Sequence, residues 1–264
     1  MTLRVASYNL RALRDDVAAL ARTVRVIDPD VLCLQEVPWI GPTNHRIADF
    51  AQRCGPVWSG RSQRAGQTSV LTNQRTNVLS VTHHRLPTRS RRDRRGFAVT
   101  RVAPFGRTSV SIASVHLSLD ADERLAHARQ IMERLAAVPG PALLAGDLNE
   151  QSDGAARQLF GSSMRPISPL VPTYPSASPD RVLDVVFATP DVTVLPHREV
   201  PWVWEDLKAA TDHRPVWVDI ETSPCPTRRC RAPGSERRTQ TRAVGGVVVA
   251  VLRLADDPGR RSRR

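Results

Sequence analysis

Six apolar segments of this chain are interrupted, at or near one end, by side chains that can bind metals or transfer protons. These side chains are Asn9, Glu36, His116, Asp147 and Asn149, Asp184, and Asp212 and His213. Buried strands favour Val, Ile and Leu, and ionisable groups are rarely buried without a partner. Because the interruption recurs along the chain, we interpret these residues as one site assembled from distant segments.

The carboxylates among them suit a divalent cation. Glu36, Asp147 and Asp212 each end a predicted strand or enter the turn beside one. Mg²⁺ prefers oxygen ligands and often uses only one or two carboxylates, with water and phosphate as the rest. A single strand-end acid more often caps a helix or faces solvent, so the group indicates a metal and no one member does. Gly146 is expected to allow a sharp turn, and alternation places Asn149 on the same side as Asp147 if the chain stays extended.

Asp184 stands among apolar residues, so its carboxylate is expected to be buried with a cationic or hydrogen-bonding partner. His116 and His213 are both candidates for that partner, and an ion pair with Arg181 is the less favoured alternative. A carboxylate behind an imidazole fixes its tautomer and favours its protonated form. His83 and His84 are assigned to a polar turn outside the site.

The spacing of apolar residues predicts the elements that position these groups. A strand over 3–10, a helix with an apolar stripe from Leu13 to Ile27 and a strand ending at Glu36 form one unit. A strand to His116, a helix capped by Asp120 and a strand to Asp147 form another. A short helix is expected at 45–53, with further strands at 68–72, 77–81, 96–102, 109–115, 182–188, 191–196 and 214–221. This order predicts an α/β fold of α+β type, a four-layer αββα sandwich of two mixed β-sheets with outer helices.

Charge divides the chain into two parts. Residues 222–264 carry 11 Arg and 3 acidic residues and lack periodicity, whereas residues 1–221 are only mildly basic. We therefore expect a folded domain over 1–221 and a basic, low-complexity, disordered tail over 222–264. Apolar runs stay well below the roughly 20 residues of a membrane span. The start of the chain reads as a strand and not as a leader, and the four cysteines form no disulfide pattern, so we expect a cytoplasmic monomer.

An ordered set of motifs resembles the endonuclease/exonuclease/phosphatase superfamily, which includes deoxyribonucleases, abasic-site endonucleases and sphingomyelinases. The motifs are Ser7–Leu10, Gln35–Glu36, Val115–Leu117, Gly146–Asn149, Leu183–Val185 and Thr211–Pro215. The resemblance spans residues 3–221 and implies the same sandwich and a phosphoesterase dependent on Mg²⁺ or Mn²⁺. It implies Glu36 as the principal metal ligand, assisted by Asn9 and Asp212.

The resemblance also implies catalytic roles. Asp147 would orient or deprotonate the attacking water, and Asn149 would hold that water or the phosphate. His116 and His213 would stabilise charge in the transition state, one of them backed by Asp184. Arg11 is similar to the arginine that deoxyribonucleases hold near the phosphate.

Hydrolysis of a phosphodiester by an endonuclease or exonuclease, with DNA the favoured substrate, is the leading hypothesis. The first alternative is a phosphatase or phospholipase acting on inositol phosphates, sphingomyelin or another small phosphoester, because the domain is only mildly basic. The second is a non-catalytic nucleic-acid-binding protein that uses the arginine-rich tail. The six arginines within 85–95 either follow a nucleic-acid backbone or form a solvated loop. Few aromatic residues interleave with them, so stacking on single-stranded bases is not expected.

Overall fold

Eleven strands and five α-helices form the part of the chain that the computed structural model describes, residues 1–55, 66–90 and 94–225. The strands are β1 (Thr2–Asn9), β2 (Val31–Gln35), β3 (Ser69–Thr72), β4 (Thr76–Leu86), β5 (Arg95–Pro104), β6 (Val110–His116), β7 (Ala142–Asp147), β8 (Arg165–Pro166), β9 (Asp184–Ala188), β10 (Thr193–Val194) and β11 (Val216–Glu221). The helices are α1 (Val17–Ile27), α2 (Thr43–Cys54), α3 (Ala121–Ala136), α4 (Ala155–Gly161) and α5 (Trp204–Ala210).

Two mixed sheets pack face to face. The first has the order β10-β11-β1-β2-β3 and the second the order β4-β5-β6-β7-β9-β8. Side chains such as Val5 and Ile112 fill the layer between the sheets. On the outer faces, α1 and α2 cover the first sheet, and α3 and α4 cover the second. The predicted four-layer sandwich is confirmed.

Strand direction brings the polar strand ends to one edge of the sandwich. The parallel pairs β1–β2 and β6–β7 place Asn9 opposite Gln35 and His116 opposite Asp147. Strand β9 runs antiparallel to β7 and begins there, with Asp184 opposite Asp147. A polar residue at the C-terminal end of one strand therefore lies beside one at the N-terminal end of its antiparallel neighbour.

The predicted start of the first helix is wrong. Arg11, Ala12 and Leu13 form a short turn with φ of 44°, 56° and 54°, and α1 begins only at Val17. The carboxylate of Asp16 caps α1 by accepting from the N–H groups of its first turn. The apolar pattern in the sequence extends back to Leu13, which precedes the helix but also packs into the core.

Several weaker predictions also change. Strand β4 runs on to Leu86, so His83 and His84 lie in an edge strand and not in a polar turn. Helices α4 and α5 were not predicted, since seven residues each are too few to show a period. The strand expected at 191–196 is reduced to Thr193–Val194.

The remaining predictions concern the cysteines, the end of the folded domain and membrane-spanning segments. Cys33 and Cys54 are buried free thiols, but Cys225 is disulfide-bonded, which the cysteine spacing did not predict. Strand β11 ends at Glu221. The disordered tail was predicted for 222–264, but its first residues are ordered: Thr222 is buried, and the N–H of Cys225 donates to the carbonyl of Gly106 at 3.0 Å. From 226 onward the predicted tail lies outside the described residues. In the described ranges, no helix is long and apolar enough to cross a membrane.

Candidate active site

The buried carboxylate of Asp147, on the second sheet, contacts side chains from both sheets. Its Oδ2 lies 3.1 Å from Nδ2 of Asn9, which comes from the first sheet. The same oxygen lies 3.5 Å from Nε2 of His116 and 3.6 Å from Nε2 of His213. Burial and the nearby Asp184 raise the pKa of Asp147 to about 6, against the lowering effect of its hydrogen-bonding neighbours. Five segments separated in sequence therefore converge on one carboxylate.

His213 pairs with Asp184, and neither His116 nor Arg181 takes that place. Nδ1 of His213 lies 2.8 Å from Oδ2 of Asp184, and both side chains are buried. Burial lowers the pKa of His213, but the carboxylates of Asp184, Asp147 and Asp212 outweigh it and raise that pKa to about 10. The imidazole is therefore a cation at neutral pH, held by a carboxylate behind it.

A tyrosine that the sequence analysis did not select packs against this histidine. The ring of Tyr174 lies 4.8 Å from that of His213, and the guanidinium of Arg181 lies 4.5 Å from the tyrosine ring on the solvent side. The same loop holds the turn before β11, because Ser176 donates from its N–H to the carbonyl of Asp212 at 2.7 Å. The loop fixes the orientation of His213 from outside the sheet.

His116 has the opposite surroundings. Nη1 of Arg95 lies 2.7 Å from Nδ1 and 2.6 Å from Nε2 of its ring, and both residues are buried. Burial, followed by Arg95 and His213, lowers the pKa of His116 well below its usual value. A guanidinium donates only to an imidazole nitrogen that carries no proton, so at most one of these two contacts is a hydrogen bond, and that bond needs a neutral ring.

Glu36 and Asn9 lie together on the other side of Asp147. Nδ2 of Asn9 is 3.3 Å from Oε1 of Glu36, and its Oδ1 accepts from the N–H of Arg11 at 3.0 Å. Asn9 therefore orients the two carboxylates and would offer an oxygen to a metal only with its amide turned over. Asp212 lies 3.3 Å from Nε of Arg11. Carboxylate oxygens from Glu36, Asp147 and Asp212 fit the preference of a hard divalent cation.

Among the described residues, the set of acidic and histidine side chains whose spacing fits a metal ion is a different one. Ligand atoms of Asp147, Asp184 and His213 lie within 4.8 Å of one another. A metal there would need a neutral His213, whose Nδ1 already bonds Asp184. The oxygen-only side of Asp147, next to Glu36, is the better match for Mg²⁺ or Mn²⁺.

The backbone around the site is held in unusual conformations. Arg11, Glu36 and Asn149 have φ of 44°, 48° and 49°. Such left-handed conformations cost non-glycine residues about 1–2 kcal/mol each and collect at functional sites. The expectation of an extended chain at Asn149 is wrong: its N–H donates to Oδ1 of Asp147 at 2.9 Å, and its Nδ2 to the carbonyl of Leu117 at 3.0 Å.

Gly146 has a different role from the predicted turn. It lies inside β7, where a Cβ atom would come within 1.9 Å of the carbonyl oxygen of Val115 on β6. The glycine lets the two strands approach closely just before His116 and Asp147, which face each other in the next register position.

A family model described as the Endonuclease/Exonuclease/phosphatase family matches residues 6–213. The chain belongs to this family. Its members are hydrolases that act on phosphoesters, and the resemblance noted in the motifs is confirmed. The chain matches no curated protein.

Solved structures share the fold of this endonuclease/exonuclease/phosphatase protein. The human Nocturnin catalytic domain with bound sulfate is 15% identical, with a TM-score of 0.64 over 84% of this chain and 95% of that one. D. rerio TDP2 complexed with single strand DNA product is 17% identical, with a TM-score of 0.64 over 84% and 99%. A mannosyl-6-phosphatase of Bacteroides thetaiotaomicron is 17% identical, with a TM-score of 0.64 over 83% and 99%. At these identities the likeness shows the fold alone.

Arg95 is the main residue of the candidate site that the sequence analysis did not identify. It was counted among the arginines of 85–95, although the apolar run from Phe97 shows that a strand begins beside it. In the sheet, Gly96 lies opposite His116, so a side chain at position 95 reaches the edge where the site lies. A polar residue directly before an apolar strand is therefore the signal that could have identified Arg95.

Proposed function

We propose that the protein is a phosphodiesterase dependent on Mg²⁺ or Mn²⁺ that hydrolyses nucleic acid, with DNA the favoured substrate, by in-line attack of water. The observation that carries this proposal is the position of Asp147. Its carboxylate lies between Glu36 and Asn9 on one side and the imidazoles of His116 and His213 on the other. A base placed between an oxygen-rich side and a donor-rich side matches the needs of phosphoryl transfer to water.

Asp147 is assigned as the group that orients or deprotonates the attacking water. A general base works best with a pKa near the working pH, and its pKa of about 6 meets that condition while leaving it ionised at neutral pH. The N–H of Asn149 fixes one carboxylate oxygen at 2.9 Å, so the other is directed at the reacting centre. We assign Asn149 to positioning this base and to contact with water or phosphate.

Glu36 would hold the metal, with Asp212 as a further oxygen ligand and Asn9 orienting the carboxylates. A bound Mg²⁺ or Mn²⁺ neutralises charge on the phosphate oxygens. Arg11 lies beside Asp212 and offers a cation for a non-bridging oxygen of the phosphate. This role for Arg11 requires it to exchange a carboxylate partner for the substrate.

The two histidines would act on the phosphoryl group in different ways. His213, kept cationic by Asp184, donates a proton or a charged hydrogen bond to an oxygen that gains charge. His116 is a neutral imidazole, and the adjacent positive charge is on Arg95. We assign Arg95 to the phosphate as the cation on that side of the site.

A small phosphoester is the second candidate substrate. The mild charge of residues 1–221 and the fold likeness to a mannosyl-6-phosphatase support it. Cytoplasmic location and a monomeric state stay predictions from the sequence, as does the division into 1–221 and 222–264.

The test compares the wild type with Asp147→Ala, Glu36→Gln and a matched exposed acid, Asp153→Asn. Each is incubated with plasmid, single-stranded DNA, abasic duplex, RNA, inositol phosphates, sphingomyelin and mannose 6-phosphate, in Mg²⁺, Mn²⁺ or EDTA. We expect metal-dependent nucleic-acid cleavage that the first two variants lose by orders of magnitude and that Asp153→Asn keeps. Turnover of small phosphoesters alone would favour the second candidate substrate. Equal activity of Asp147→Ala and wild type would refute the proposed function.

A further inference from the structure

An exposed tryptophan and an arginine form a pair, and each lies close in the chain to a residue of the candidate site. The guanidinium carbon of Arg94 lies 4.7 Å from the centre of the Trp39 ring. Trp39 is 44% exposed, and Arg94 is exposed as well. The two residues come from segments far apart in the chain, so the pairing could not be seen in the sequence.

The pair bridges the two sides of the site. Trp39 follows Glu36 by three residues, a distance of at most about 10 Å along the chain. Arg94 directly precedes Arg95, whose guanidinium contacts His116. The tryptophan is therefore close in the chain to the carboxylate that is proposed to hold the metal.

The surroundings leave the tryptophan ready for a ligand. Its neighbour in the chain, Ile40, is 68% exposed. A large aromatic ring in solvent forgoes the free energy that its burial would supply. Exposed apolar side chains rimmed by charge mark binding surfaces more often than chance. An arginine beside the ring adds the charge that a nucleic-acid backbone attracts.

We propose that Trp39 and Arg94 form a subsite in which an unpaired nucleobase stacks on the indole while the guanidinium meets the adjoining phosphate. The occupant is single-stranded nucleic acid, because a base within a duplex has no free face. This inference rests on the proposed function and specifies its substrate. It differs from the sequence prediction, which did not expect stacking on single-stranded bases, because Trp39 reaches Arg94 from another segment.

The chain offers a matched control. Trp204 is 52% exposed and has the guanidinium of Arg214, the residue after His213, at 5.2 Å from its ring, so it tests whether any exposed tryptophan paired with an arginine close in the chain to the site has the same effect. Trp204→Ala therefore removes an exposed tryptophan paired with arginine without touching the Trp39 pair. Trp39→Phe keeps an aromatic face, and Arg94→Lys keeps the charge.

The experiment measures binding of two fluorescently labelled oligonucleotides to the full chain in EDTA, where hydrolysis is not needed. One strand is oligothymidine and the other is a strand of the same length built from abasic sites. Trp39→Ala is expected to weaken binding of the thymidine strand about tenfold and to leave the abasic strand unchanged. Trp39→Phe should restore most of the affinity, and Arg94→Ala should weaken both strands in a salt-dependent manner.

The outcomes separate this inference from the proposed function. If the wild type cleaves no phosphodiester but Trp39→Ala loses base-dependent binding, the subsite stands and the enzyme assignment fails. If DNA is cleaved but Trp39→Ala binds both strands like wild type, or weakens both equally, the subsite is refuted and the enzyme assignment stands. A Trp204→Ala variant that matches Trp39→Ala, or a wild type that binds neither strand, also refutes the subsite.

Discussion

Both histidines of the site point Nε2 at the same oxygen of Asp147, at 3.5 Å from His116 and 3.6 Å from His213. Behind them the charges are opposite. Asp184 lies against His213, and Arg95 lies against His116. One imidazole is therefore held as a cation and the other as a neutral ring, although neither distance to Asp147 would reveal it.

The difference comes from the strands that flank the pair. Strand β9 begins next to Asp147 and contributes an acid, whereas β5 begins next to His116 and contributes a guanidinium. Charge on each imidazole is thus set by its partner and not by its contact with Asp147. The arrangement supplies two cations, His213 and Arg95, on the donor side of the site.

Removing the carboxylate of Asp184 should have the largest effect on activity. In Asp184→Asn the pKa of His213 falls from its raised value of about 10, because its largest raising influence is removed, so a smaller fraction of the ring is imidazolium at neutral pH. We expect kcat/KM to fall by about 10²- to 10⁴-fold, as for loss of a general acid. Because His213 is still charged in acid, the loss should be smallest well below pH 6.5 and should grow as pH rises. A pH profile of kcat/KM on the substrate found in the screen measures this.

Thermal unfolding serves as the control for Asp184→Asn. The change leaves a buried imidazole without its carboxylate and should also destabilise the fold. A loss of activity that is equal at all pH values, in a protein still folded at the assay temperature, would contradict the assigned charge of His213.

Removing the guanidinium of Arg95 should have a smaller effect on activity. Arg95→Gln deletes a cation near the phosphate, and we expect kcat/KM to fall by about 10- to 100-fold. The pKa of His116 should rise, since a lowering influence is removed. Steady-state kinetics and a histidine NMR titration measure the two effects. An unchanged kcat/KM would remove Arg95 from the site, and an unchanged His116 titration would separate the two residues.

Loss of the stacked ring should have the smallest effect. Tyr174 contacts His213 through its ring at 4.8 Å, so Tyr174→Phe should retain nearly full activity. Tyr174→Leu should reduce kcat by about two- to tenfold, because His213 then has more freedom to rotate. Assaying both variants side by side distinguishes packing from chemistry. A large loss in Tyr174→Phe would show that the hydroxyl takes part.

The sequence sufficed for the sandwich and for the groups that end apolar strands. Asn9, Glu36, Asp147 and Asp184 stand out because a polar residue in an apolar run is improbable without a partner. The sequence did not show which partner each group has. His213 and His116 have similar positions in it, and they differ only when β9 and β5 are placed beside them.

Other features depend on contacts that leave no local pattern. Arg95 was hidden in an arginine-rich run, and Trp39 becomes a partner of Arg94 only when distant segments are brought together. The left-handed turn at Arg11 accompanies a hydrogen bond from its N–H to the side chain of Asn9. The sequence has no glycine at this position, so it gave no sign of the turn. Pairing across the edge of two sheets is long-range information, which short windows of sequence cannot carry.

The most direct test of opposite charge is a long-range ¹H–¹⁵N NMR titration of the histidine rings in the metal-free protein. His116→Asn and His213→Asn variants assign the two sets of signals. The account predicts that His213 keeps protons on both ring nitrogens from pH 6 to above pH 8, since its pKa is about 10. It also predicts that His116 keeps one bare nitrogen throughout that range. Two rings that titrate together near pH 6.5 would contradict it.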